Sequence, residues 1–281
     1  MRCEKIVGPV PQMSKGAVVQ SVFKNSLNIE LPEEVCMLTV HRFSDVELPG
    51  SFYVPDLSAA RIEPGMPVSW NKKQLQIGGL TIPVRTGQTE EIQLQKCNRM
   101  EGTERLEECR RLLDKSRSKK TVEAFGSEQI YQCLHTQLSL FLRAVVKREE
   151  ATAEAALKQC IGLGFGLTPS GDDMINGILG FFYVYQTEDF LWAKGLVERN
   201  LMRTTKVSAS FLGWTCRGYA SNLLKNVIYG LSEERQEETE LFIHDVLRLM
   251  KVGHTSGGDL LEGILFAAEQ HKKVYNAGKN Q

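Results

Sequence analysis

At 281 residues, with 42% hydrophobic and 24% charged side chains, the chain has the composition of a globular protein of one large or two modest domains. Its 34 Lys+Arg balance 34 Asp+Glu, so no overall field favours nucleic acid or an anionic membrane. The seven cysteines are odd in number and scattered without a Cys-x-x-Cys pair, which argues against a disulfide frame or structural zinc and for reduced thiols.

Along the chain, the region before residue 100 reads as β-rich. Short β-branched and aromatic runs (Ala17–Phe23, Val35–Val40, Ser51–Val54, Pro67–Trp70, Leu80–Val84) are separated by Pro, Gly and Asn, and Gly78-Gly79 marks a hairpin turn. A small antiparallel sheet or barrel is expected there. Residues 101–275 change to helical spacing, with helices expected over Glu104–Lys115, Ser127–Lys147, Ala151–Cys160, Asp172–Gln186, Leu191–Met202, Val207–Ile228, Ser232–Met250 and Gly257–Gln270. The basic run Lys115–Lys120 reads as a solvated turn, and 276–281 as a frayed tail. The fold class is α+β: a small antiparallel β domain (1–100), then an all-helical domain (101–275). No basic segment followed by an apolar stretch opens the chain, so no secretory signal is expected. The most apolar run, Met174–Tyr185, is short and holds Asn176, which fits a buried helix and not a membrane span. A cytoplasmic location is expected.

The helical region repeats one motif, Ser-Gly-x-Asp-x-x-x-Gly-Ile-Leu, at Ser170–Leu179 and Ser256–Leu265. Ser170 and Ser256 are expected as N-caps, with Asp173 and Asp259 completing two capping boxes and Gly171 and Gly257 in the first helical position. If the two helix starts converge, their amides form a nest for a phosphate or carboxylate. Gly177 and Gly263 stand mid-helix, at ~1 kcal/mol each relative to Ala, a cost that close packing of the two repeat helices would offset.

Other candidates cluster around these loops. The run Gly162-Leu-Gly-Phe-Gly166 before Thr168 is neither a P-loop nor a dinucleotide fingerprint, and Gly164 and Gly166 fit close backbone approach to a ligand or a neighbouring helix. Asp173 and Asp259 are helix caps or functional carboxylates. Asp172, which a capping box does not need, is a candidate to bind Mg²⁺, orient a substrate amide or complement the helix dipole. Thr204, Thr205, Lys206 and Ser208 open a further helix, either as ordinary caps or as oxyanion contacts. His254, beside Thr255 in the second loop, is the most plausible titrating group. Arg42, after a strand-like run, offers a guanidinium or is simply exposed. No function is expected for His135, His244 or His271, and Cys133 and His135, two apart on a helix, do not face each other.

The strings Gly164-Phe-Gly-Leu-Thr-Pro-Ser-Gly-Asp-Asp173, Thr204-Thr-Lys-Val-Ser208 with Arg217-Gly-Tyr-Ala-Ser221, and Gly253-His-Thr-Ser-Gly-Gly-Asp259 resemble, in the same order, those of the AllH family. Thr39-Val-His-Arg42 and Pro49-Gly50 extend the resemblance, which spans roughly residues 36–270. It implies a subunit of oxamate carbamoyltransferase, acting in anaerobic purine and allantoin breakdown, where oxalurate and phosphate give oxamate and carbamoyl phosphate. It also implies companion subunits, one resembling acyl-CoA synthetase alpha chains. Gly171 stands where a histidine can occur in that family, and Gly258 where an alanine can. On this reading the Gly171, Asp172, Ser256 and Gly257 amides hold a phosphate or oxyanion, and His254 manages the proton on the amide nitrogen. Lys206, Arg42 or Arg217 would neutralise the remaining charge. The competing expectations are a non-catalytic subunit using the same site to hold a metabolite, and a kinase-like enzyme using nucleotide and Mg²⁺.

Overall fold

The computed structural model describes residues 1–10, 16–43, 45–58, 61–71, 73–85, 89–97, 100, 103–118, 125–232 and 239–278. The chain separates into two compact units, one formed by Met1–Gln93 with Tyr219–Asn222, the other by Leu94–Gly218 with Leu223–Gln281.

In the first unit, alternating apolar residues form short strands that bury one face. The main sheet contains β1 (Lys5–Gly8), β2 (Val18–Val22), β3 (Ser26–Glu30), β4 (Leu38–His41), β5 (Ser51–Tyr53) and β9 (Thr89–Glu91), in the order β2-β3-β4-β5-β1-β9. Leu27, Ile29, Leu38, Val40 and Phe52 are wholly buried on it. A second sheet is the meander β6 (Val68–Trp70), β7 (Gln74–Ile77) and β8 (Leu80–Pro83), with Gly78-Gly79 turning β7 into β8 as expected. Pairing is mostly antiparallel, but β4 runs parallel to β5 and β1 parallel to β9. The strand β3, which Pro32 ends, had no separate place in the sequence reading; its alternation Ser26-Leu-Asn-Ile-Glu30 is the period-2 signal for it.

The second unit is helical: α1 (Thr103–Ser118), α2 (Phe125–Lys147), α3 (Glu150–Cys160), α4 (Ser170–Tyr185), α5 (Thr187–Asn200), α6 (Lys206–Cys216), α7 (Asn222–Tyr229), α8 (Thr239–Leu249) and α9 (Ser256–Gly278). A 3₁₀ turn, Leu201–Arg203, joins α5 to α6. No helix of the described residues is long and apolar enough to cross a membrane. The expected long helix Val207–Ile228 is two helices. Gly218 lies between them at φ 83°, a left-handed conformation that ends α6 and that a side chain would strain. Ser232 does not start a helix; it sits in an isolated bridge with Met100, and 233–238 lie outside the described residues. Of the expected tail, 276–278 continue α9 and 279–281 lie outside the described residues.

At the centre of this unit α4 is buried continuously from Gly171 to Phe182. Its partner is α9, and the two cross at the paired glycines. A Cβ on Gly177 would overlap the Leu260 carbonyl oxygen, and one on Gly263 the Met174 carbonyl oxygen. Backbone therefore meets backbone at the crossing, which offsets the intrinsic cost of mid-helix glycine.

Replacing either Gly177 or Gly263 with alanine forces the helices apart. A loss of about 3 kcal/mol is expected in denaturant unfolding, whereas Gly195→Ala, where the only neighbour near an added Cβ is the flexible end of Arg199, should leave the unfolding midpoint nearly unchanged or raise it.

Candidate functional site

The two motif loops open their helices in the same way. The Gly171 amide donates to the Leu163 carbonyl at 2.9 Å, and the Gly257 amide to the Val252 carbonyl at 3.0 Å. The Asp172 and Asp173 amides both donate to the Pro169 carbonyl, and the Asp259 amide to that of Thr255. Pro169 (φ −55°, ψ 143°) and Thr255 thus precede the helices, and Ser170 and Ser256 are already helical. The helices therefore start one residue earlier than expected, and the expected capping boxes do not form: the N-cap of α4 is Pro169, with no side-chain cap bond. Of the four amides expected to form a nest, those of Gly171, Asp172 and Gly257 are closed by carbonyls of their own loops. Close approach explains both glycines: a Cβ on Gly171 would overlap the Cys160 carbonyl oxygen, and one on Gly257 that of Leu249. A side chain at position 171 has no room in this chain.

With their own helices not needing them as caps, the serines reach across. The Ser256 hydroxyl bonds towards Asp173 and the Ser170 hydroxyl towards Asp259, each favouring the ionised carboxylate. Thr168 Oγ1 and Ser256 Oγ complete the link at 2.7 Å. The two loops do converge, through side chains and not through amides.

Asp172, only 1% exposed, organises the third loop. Its Oδ1 accepts the Gly162 amide at 2.8 Å, and its Oδ2 accepts the Ser208 hydroxyl at 2.8 Å and that of Thr204. Thr205 caps α6, accepting the Ser208 amide at 3.1 Å while donating to the Leu167 carbonyl. Gly164 (φ 135°) lies so close to the Ser170 amide nitrogen that a Cβ would overlap it, whereas Gly166 has open space around it. Asp172 therefore fastens the glycine-rich loop, α4 and the start of α6 together. Both of its oxygens are engaged by N–H and O–H donors. Among the described residues, no group of three or more His, Cys, Asp or Glu side chains is arranged to hold a metal.

Tyr131, Arg110 and Glu262, which had no place in the sequence reading, complete the site with Arg117 and His135, which were read differently. Tyr131 of α2 donates to Asp259 Oδ1 at 2.6 Å, and Arg117 of α1 stands 3.6 Å from the same oxygen. Arg117 and Arg110 both pair with Glu262 of α9, which is fully buried. His135, assigned no role, has its Nε2 3.7 Å from Glu262. The expected solvated turn at Lys115–Lys120 is thus corrected at Arg117, which turns inward because a buried carboxylate demands a counter-charge; 119–120 lie outside the described residues. One signal for this cluster was present. Glu262 interrupts the apolar run Leu260-Leu-Glu-Gly-Ile-Leu265, so a charge was destined for the interior.

Burial raises the pKa of all three aspartates. Desolvation pushes Asp172 up against the pull of Thr204, Gly162 and Ser208. It pushes Asp259 up against Tyr131, Ser170 and Arg117. Asp173 is raised most, by burial and then by repulsion from Asp259 and Asp172, against only Ser256 and Thr168. The Tyr131 hydroxyl is itself pushed up to about 12, by burial and by Asp259, so it remains a donor.

Lys206 and His254 are exposed at the starts of α6 and α9. Arg217 is not brought to them, since it follows the last turn of α6, ~16 Å along the helix from Lys206. It lies over the Trp214 ring instead. Arg42 belongs to the first unit, where its Nε donates to the Pro55 carbonyl at 3.0 Å. Beside it, burial lowers the His41 pKa to about 4, so that imidazole is neutral at pH 7.

Two family models match the chain: the AllH family N-terminal domain over residues 4–98, and oxamate carbamoyltransferase subunit AllH over residues 160–268. The chain belongs to the AllH family. No solved structure matches it. The second AllH match contains the glycine-rich loop, the start of α6 and both motif copies, whereas Arg110, Arg117, Tyr131 and His135 fall between the two matched regions. What AllH sequence strings make recognisable is therefore the loop framework, and the groups that hold Asp259 come from helices those strings do not include.

Two outcomes are expected from substitution. Asp172→Ala leaves the Gly162, Thr204 and Ser208 donors without their acceptor, at about 3 kcal/mol in chemical unfolding. For Asp173 the native pKa lies above the unfolded value, so the folded state binds the extra proton and stability falls as pH rises between the two. Asp173→Asn should remove that dependence, and its stability relative to the parent should increase from about pH 4 towards neutrality. An unchanged difference across that window would mean that Asp173 ionises normally.

Proposed function

We propose that this chain is a subunit of an oxamate carbamoyltransferase-like enzyme and binds a small anionic substrate at the loops before α4, α6 and α9. The observation that carries the reading is the meeting of the two motif copies through Thr168, Ser170, Ser256 and the aspartates, within the region matched to oxamate carbamoyltransferase subunit AllH. The candidate substrates are carbamoyl phosphate, oxamate and oxalurate, in purine and allantoin catabolism. Thr168, Thr204, Thr205, Ser170 and Ser256 supply hydroxyl contacts, and Gly164 and Gly166 let the backbone approach. Lys206 offers the positive charge, and His254 takes or returns the proton on the carbamoyl nitrogen. Asp172, Asp173 and Asp259 hold the loops in register and keep a low-dielectric floor beneath them, in which hydrogen bonds to a developing oxyanion are strong.

Companion subunits belong to the same reading, including one resembling acyl-CoA synthetase alpha chains. Phe165 (75% exposed) and Leu167 (49%) lie on the glycine-rich loop, and Met202 (92%) lies on the 3₁₀ turn before α6. Apolar side chains this exposed beside a site favour a surface that a second subunit covers. They also favour the alternative that this subunit binds the metabolite while the partner supplies the reacting groups.

The test is the thermal stability of the purified chain with carbamoyl phosphate, phosphate, oxamate, oxalurate and ATP–Mg²⁺, each beside His254→Ala. A ligand at ~100 times its Kd adds ~2.7 kcal/mol. The expected result is stabilisation by a carbamoyl compound that weakens in the variant. Absence of a shift with every anion would remove the site from the isolated chain, and a shift with ATP–Mg²⁺ alone would favour nucleotide chemistry.

A further inference from the structure

Three neighbouring strands of the first unit set a row of side chains on one face of the main sheet. Lys5 of β1 lies opposite Tyr53 of β5, and Tyr53 lies opposite His41 of β4. Val7, two residues beyond Lys5, points the same way. The segment after β4 bends back towards this row. The Phe43 ring stacks on the His41 ring, with centroids 5.6 Å apart, and the Glu47 carboxylate pairs with the Lys5 ammonium. Asn222, which belongs to this unit, holds Glu47 in place: the Glu47 amide donates to Asn222 Oδ1 at 3.0 Å, and the Asn222 amide to the Glu47 carbonyl at 3.1 Å. These side chains, with Val46, border a cavity of about 110 Å³.

His41 gives this cavity a wall and no charge. The Phe43 amide donates to its Nδ1 at 3.2 Å, so the ring proton is on Nε2, which donates to Ser51 Oγ at 3.2 Å. The Ser51 hydroxyl in turn donates to the Leu48 carbonyl at 2.8 Å. Glu4, which also borders the cavity, is exposed. The charge set into the cavity wall is therefore the contact pair Lys5–Glu47, whose side chains are 21% and 22% exposed. Phe43 is 39% exposed, an aromatic face that an occupant would cover.

We propose that this cavity binds a free α-amino acid with a branched aliphatic side chain the size of leucine. The inference lies in the first unit and does not depend on the carbamoyltransferase reading. An ion pair in contact presents opposite charges a hydrogen-bond length apart, and so does the backbone end of an amino acid. Laid alongside in the opposite sense, the ligand carboxylate accepts from Lys5 and the ligand ammonium donates to Glu47, both charge-assisted bonds. A lone anion at Lys5 would be repelled by Glu47, and a lone cation at Glu47 by Lys5; the zwitterion meets neither penalty. The side chain then lies among Val7, Phe43, Val46, Tyr53 and His41. An apolar cavity of ~150 Å³ takes the six carbons of benzene, so this one takes roughly four, the side chain of leucine or isoleucine.

Calorimetric titration of the full chain with L-leucine is expected to show binding. Leucinamide and 4-methylpentanoate, each lacking one of the two charges, should bind about tenfold or more weakly, because a site built around a hydrogen-bonded group rejects the analogue without it. Substitutions at the ion pair should act selectively. Lys5→Met is expected to weaken leucine about tenfold and leucinamide not at all, since leucinamide has no carboxylate to lose. Glu47→Gln should weaken leucine and spare 4-methylpentanoate. Val46→Trp, which fills the cavity and keeps both charges, should abolish leucine binding without changing the unfolding midpoint. No binding of leucine at millimolar concentration overturns the site, and the parent chain alone decides that point. Binding of 4-methylpentanamide, which has neither charge, as tightly as leucine overturns it as well and makes the cavity a plain apolar one. So does a leucine affinity that is the same in the parent, Lys5→Met and Glu47→Gln.

Discussion

The helical unit depends on one contact, the crossing of α4 and α9 at Gly177 and Gly263, where neither helix carries a side chain between the backbones. That contact lets the two copies of the motif reach each other at the helix starts. Ser170 and Ser256, each about two turns from the crossing glycine of its helix, then exchange partners, each serving the aspartate of the other copy. A methyl group at the crossing would push apart the helices whose starts carry the hydroxyls and carboxylates that meet over hydrogen-bond distances. Packing and chemistry are here the same constraint, since dispersion and hydrogen bonding both fail within an ångström of separation.

The second constraint is electrostatic. Three aspartates and Glu262 are buried in one region, and the charge of each is managed differently. Asp172 is surrounded by N–H and O–H donors, Glu262 is matched by two arginines, and Asp259 has a phenol and a more distant guanidinium. Asp173 has the least, and burial raises its pKa the most. Removing a partner from any of these costs more than the partner contributes, because the residual charge has no water to turn to.

Much of this was readable from the sequence where a residue carried a local penalty. Mid-helix Gly177 and Gly263 were costly enough to imply a close crossing, and the repeated Ser-Gly-x-Asp implied convergence. The exact starts were not readable, since serine favours a cap and only the backbone bonds to Pro169 and Thr255 move it one position inward. The break at Gly218 was visible as Arg217-Gly-Tyr-Ala but was outweighed by helical spacing on either side. The arginines and Tyr131 were invisible for a different reason. On α1 and α2 they look like ordinary polar positions of amphipathic helices, and only tertiary packing turns them towards Asp259 and Glu262. In the first unit the alternation announced strands but not their neighbours, and so gave no sign that β4 would lie parallel to β5.

The crossing joins two helices far apart in sequence, α4 (Ser170–Tyr185) and α9 (Ser256–Gly278). During synthesis α4, buried along almost its whole length in the finished unit, emerges long before α9 exists to cover it. Its apolar surface and its aspartates must wait, exposed, until α9 has been synthesised. The helical unit is thus bound to close late and around a contact of high sequence separation, a slow kind of event. Truncation within α9 would be felt as a nascent chain that cannot complete its core.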